Sequence, residues 1–111
     1  MKRFILFLVL AIATQMVYSH PPKKITTDFD KNTSILKIII EHDTPNGEKH
    51  HIDEIKIERN GQELLLQKIS NQVDLKEQKA IYFISDIKQG DELKITAHCN
   101  VYGKKTETLK I

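Results

Sequence analysis

Five histidines and a single cysteine are the residues of this 111-residue chain able to do chemistry beyond packing: His20, His42, His50, His51, His98 and Cys99. Imidazole nitrogens and a thiolate sulfur are the ligands that transition metals prefer, and four of the histidines together with one cysteine are enough to hold an ion. Other signatures of catalysis are missing from the sequence. It has no glycine-rich phosphate loop, no Gly-x-Ser-x-Gly elbow and no His-Glu-x-x-His helix. Each residue also has an ordinary reading. A lone surface histidine is usually a solvated side chain, and a lone cysteine is most often a buried thiol that behaves as a small hydrophobe. The spacing alone leaves both readings open.

The elements that must position these residues are strands. Residues 35–40 form a β-branched run of strand length, expected to be a central strand partly buried on both faces. In residues 51–59, Ile55 and Ile57 alternate with charged side chains, and Asn60-Gly61 follows as a hairpin signal. Residues 62–69 then read as the returning strand. Ile81, Tyr82 and Phe83 mark a further strand, Gln89-Gly90-Asp91 a turn, and Leu93, Ile95 and Ala97 the inward face of the next strand. With residues 23–29 at the start and 105–111 at the end, the count is seven. Residues 71–79 hold only Val73 and Leu75 as an apolar pair, give no helical stripe, and read as a polar connection. Seven short strands with turns at regular spacing imply an all-β, immunoglobulin-like antiparallel β-sandwich. In such a sandwich the histidines and Cys99 fall at strand ends or in loops, where several can meet.

Composition and targeting narrow the function. Hydrophobic residues make up 40% of the chain and charged ones 29%, enough for one ordinary domain. Lys2 and Arg3 precede an apolar run over residues 4–13, too short to span a bilayer and suited to a signal peptide over residues 1–19. Val17 and Ser19 fit the small positions before a cut that leaves His20 first, with Ala11 and Ala13 as a rival site. The expected product, residues 20–111, is periplasmic or secreted. Removing Lys2 and Arg3 from the 17 basic residues balances the 15 acidic ones, so no partner role with nucleic acid or an anionic membrane is expected. Cys99 cannot form an internal disulfide, and an exported lone thiol needs a specific use.

Two blocks carry a family resemblance. His42, then Glu48-Lys49-His50-His51-Ile52, with Cys99-Asn100-Val101-Tyr102-Gly103 near the C-terminus, resembles the superoxide reductase family, the iron-binding domain of desulfoferrodoxin and neelaredoxin. The resemblance covers most of residues 20–111 and implies a mononuclear non-haem iron held by equatorial histidines and an axial cysteine thiolate. Its match assigns His20, His42, His50 and Cys99 as metal ligands, with His20 resting on one residue and the neighbouring prolines. His51 falls on a non-ligand position. His98 is expected on the opposite face of its strand from Cys99.

The chain departs from the family pattern where a fourth histidine would stand, because Tyr102 occupies that place. The loop from His42 to His50 is also longer than in most members. The resemblance implies one-electron reduction of superoxide to peroxide with electrons from an external donor. The alternative is a non-catalytic sandwich that carries metal or binds a partner, comparable to the small sulfur-oxidation carrier proteins. A third reading gives copper to an N-terminal His20 through its α-amino group and ring nitrogen.

Overall fold

The computed structural model describes residues 21–111. Seven strands follow one another: β1 (Lys24–Asp30), β2 (Ile35–Glu41), β3 (Ile52–Arg59), β4 (Gln62–Lys68), β5 (Glu77–Phe83), β6 (Glu92–Cys99) and β7 (Lys104–Lys110). They form two antiparallel sheets, one ordered β1-β2-β5 and the other β4-β3-β6-β7. This is the expected sandwich. Among the described residues no helix is long and apolar enough to cross a membrane.

Period-two alternation explains the core. Leu36, Ile38 and Ile40 of β2 face Ile55 and Ile57 of β3 together with Leu93, Ile95 and Ala97 of β6, all essentially without exposure. Each such aliphatic side chain contributes about 1.5–3 kcal/mol by leaving water. The expectation for residues 35–40 holds in position, since β2 lies between β1 and β5, but its outer face is only thinly covered. Lys37 and Ile39 there are exposed.

The strands break simple alternation in two places. On β3, Ile52 lies opposite Cys99 and Glu54 opposite His98, so two residues of β3 answer one step of β6. This β-bulge at Asp53 changes the parity of the strand, turning Ile52 into the core with Ile55 although they are three apart. The polar connection expected over residues 71–79 is shorter than its composition suggests. Glu77 to Lys79 belong to β5, whose inward face is built from the buried Gln78 with Ala80 and Tyr82, leaving Ile81 and Phe83 to solvent. Pairing with β2 decides this strand, because its largest aliphatic and aromatic side chains, Ile81 and Phe83, face outward.

Antiparallel order sends all the chemistry-bearing loops to one end. Residues 42–51, 69–76 and 100–103 join strands there, and the approach to β1 lies at the same end.

Candidate metal centre

The loop after β2 begins with His42, which is fully buried. Its backbone N–H donates to the Lys76 carbonyl, and the Thr44 N–H donates to the Leu75 carbonyl, both at 2.8 Å. These bonds extend the β2–β5 contact past the strand ends. Asn46 then turns the chain. Its side-chain oxygen accepts from the N–H groups of Glu48 and Lys49 at 3.0 and 3.3 Å, and its carbonyl accepts from His50 N–H at 2.9 Å. Asparagine stabilises such a turn because its short amide mimics the backbone. The neighbouring Gly47 lies close under Asn71, whose side-chain oxygen would be 2.8 Å from an added Cβ and would have to turn away. The turn brings His50 back over His42. Their rings meet edge to face, with centroids 4.8 Å apart.

Cys99 ends β6 on its inward face, continuing the series Leu93, Ile95, Ala97, and is 1% exposed. The next residue acts as a clamp between loops. Asn100 accepts the His51 N–H on its side-chain oxygen at 2.8 Å, donates its amide to the Lys49 carbonyl at 3.0 Å, and donates its backbone N–H to the His51 carbonyl at 3.0 Å. His50 is thereby held from both sides. The Cys99 sulfur accepts the Val101 N–H at 3.5 Å. Gly103 sits at φ 77°, with the Pro21 side chain so close that an added Cβ would lie 2.9 Å from it. The first described residue is therefore packed against the loop that follows Cys99.

The outcome is a buried cluster. One ligand atom from each of His42, His50 and Cys99 lies within 4.8 Å of the other two. The residue His50 is half-buried, while its Nε2 is shielded from solvent. Ligands about 2.1 Å (nitrogen) and 2.3 Å (sulfur) from a shared ion are at most about 4.4 Å apart when opposite and closer at tetrahedral or right angles, so the three draw together when they share an ion. Two imidazoles from the loop between β2 and β3 and a sulfur from the end of β6 are a donor set that fits a transition metal.

The remaining sequence candidates fall elsewhere. His20 and the signal peptide lie outside the described residues. His51 is buried but separate from the cluster, with Nε2 against the Ile69 carbonyl at 3.0 Å, and its Nδ1 has no hydrogen-bond partner among the described residues. His98 points to the opposite face from Cys99, as strand geometry requires, and pairs with Asp53 at 2.7 Å. Tyr102 is 59% exposed, so its phenol does not close the cluster. Gln72 is the residue that sequence reasoning passed over. It lies in a segment read as solvated, yet it is buried and bonded to His42. A lone glutamine among polar neighbours gives no signal for this.

No protein-family model matches this chain, and no curated protein matches it. Solved structures that share its fold include the following two. A superoxide reductase (1Fe-SOR) from Giardia intestinalis superposes with TM-score 0.64 at 19% identity, covering 83% of this chain and 100% of that one. A hypothetical protein from Pyrococcus horikoshii OT3 superposes with TM-score 0.57, also at 19% identity, over 83% of this chain and 89% of its own.

Proposed function

We propose that this protein is a mononuclear non-haem iron protein of the superoxide reductase type, exported by a signal peptide cut after Ser19. The observation that carries the reading is the meeting of His42, His50 and Cys99 within 4.8 Å at the end of the sandwich. Sharing a fold with the Giardia superoxide reductase supports it. His20, next in the chain to the Pro21 that packs on Gly103, is the proposed fourth protein ligand.

Ferrous iron held this way would supply one electron to superoxide, which leaves as hydrogen peroxide after taking two protons, and an external donor would return the electron. The chain's part is to tune and shelter that chemistry. Cys99 would hold the iron through its sulfur, and His42 and His50 through neutral imidazoles, a donor set that would leave the metal electron-rich enough to give an electron away. The Val101 N–H on the sulfur would moderate that donation. Asn100 fixes the approach of His50 by holding Lys49 and His51 on either side of it. Tyr102, which stands where the family has a histidine, faces solvent.

The exposure of Tyr102 also favours a second reading, a metal carrier or partner-binding module that keeps the scaffold without turnover. Metal analysis and a visible spectrum of the oxidised exported protein, followed by pulse radiolysis with superoxide, separate the two. Stoichiometric iron, a thiolate-to-iron band and a fast superoxide reaction are expected. Bound iron without that reaction selects the module. Absence of iron and of the band overturns both metal readings.

A further inference from the structure

The side chain of Gln72 is 5% exposed and every polar hydrogen and oxygen it offers is used. Its Nε2 donates to the His42 carbonyl at 2.7 Å and to the Asp74 carbonyl at 2.9 Å. Its Oε1 accepts the Ile52 N–H at 3.3 Å. Reversing the amide would set the NH2 group against an N–H and the oxygen against two carbonyls, so three backbone groups fix its orientation. The same Oε1 lies 2.8 Å from His42 Nδ1. An amide oxygen only accepts, so Nδ1 must carry the hydrogen. In neutral imidazole the lone pair then belongs to Nε2.

We propose that Gln72 is a positioning residue that locks His42 in the Nδ1–H form and so presents Nε2, lone pair outward, to the His42–His50–Cys99 cluster. This rests on the metal reading of that cluster. The lock joins three separate pieces of the chain. Gln72 ties the start of one site loop (His42), the start of β3 (Ile52) and its own loop (Asp74) into one rigid unit, and its N–H donates to the Gly47 carbonyl at 3.2 Å, bracing the turn that returns His50. Partners of this kind orient ligands and set their basicity, and their loss typically weakens metal binding about 10- to 100-fold.

The test uses the full exported chain, 15N-labelled, with Zn2+ as the probe. Histidine 15N shifts should place the His42 proton on Nδ1 both before and after Zn2+ is added; a proton on Nε2 in the metal-free protein overturns the proposal. Gln72→Leu removes the acceptor, and should let the Nε2–H form appear while weakening Zn2+ binding about 10- to 100-fold. Gln72→Glu keeps the acceptor for Nδ1 but turns an oxygen toward the His42 and Asp74 carbonyls, so it should lower stability while retaining the Nδ1–H form, which a purely structural role for the amide would not predict. A leucine variant with unchanged tautomer and affinity, or a folded glutamate variant with the proton on Nε2, overturns it. Should Gln72→Leu not fold, the wild-type tautomer and Gln72→Glu decide alone. If the wild-type chain binds no metal, the functional reading fails, and the tautomer measurement still decides what Gln72 does to His42.

Discussion

The two ends of the sandwich are held by different means. At the far end the connections are exposed turns, some of them tied to one another across the sheets. Asn60-Gly61 closes the β3–β4 hairpin with φ of 50° and 84°, the pair of left-handed residues such a two-residue turn demands. Asn60 accepts the Glu92 N–H at 2.9 Å and donates to Asp91 at 3.0 Å, and Asp91 accepts the Lys88 N–H at 2.9 Å. At the cluster end the buried Gln72 and the exposed Asn100 bind loops that are distant in sequence. The difference is burial: an exposed amide such as Asn60 ties turns that solvent also satisfies, whereas polar groups gathered in one buried place require a buried side chain such as Gln72 to satisfy several of them at once.

The largest expected effect is at the cluster end. Cys99→Ser should abolish any thiolate-to-iron band and reduce iron content to background, while urea unfolding stays cooperative. Unchanged metal and spectrum would remove Cys99 from the site. At the far end, Gly61→Val places a β-branched residue at φ 84° and should cost about 1–3 kcal/mol in urea denaturation. Iron content should be unaffected, and a proportional loss of iron would mean that the two ends are not independent.

Tyr102→His tests the gap in the ligand ring. With the local sequence then matching the family pattern, iron retention against a chelator should tighten about tenfold, equivalent to about 1.4 kcal/mol, and superoxide reduction should quicken. No change in either would place residue 102 away from the metal and favour the module reading.

The smallest effect concerns acid. The Lys88 N–H and the Asn60 amide hold the Asp91 carboxyl below the usual carboxylate range. Because the folded value is the lower one, the stabilisation is present above the unfolded value near about 4 and is lost as pH falls through the folded value. Stability should therefore slope downward below about pH 4, and Asp91→Asn should flatten that slope slightly without changing the metal content at neutral pH. Tyr82 behaves differently: half-burial beside the core pushes its phenol up to about 12, so it stays protonated throughout this range.

Much of the fold was legible in the residues, because strand alternation and turn chemistry are local. Ile35 to Ile40, Ile55 with Ile57, Leu93 through Ala97, and Asn60-Gly61 each specify their element within a few positions, and the observed strands follow them. The clustering of His42, His50 and Cys99 was legible only through the family resemblance, since nothing in their spacing places them together. Three features were not legible at all. The bulge at Asp53 depends on which residue of β6 lies opposite Ile52. β5 extends over Glu77 to Lys79 because β2 offers an edge to pair with, not because those residues prefer a strand. Gln72 is buried because its partners His42 and Ile52, 30 and 20 residues away, arrive to satisfy it.

The sequence by itself determined the number of strands, the inward faces of β2 and β6 and the kinds of ligand available, since side-chain alternation and donor chemistry belong to each residue alone. Only the tertiary structure decided which donors share a place and which face of an imidazole is offered. A buried polar group is stable only where its hydrogen-bond partners converge on it, and that convergence belongs to the packed sheets and loops together.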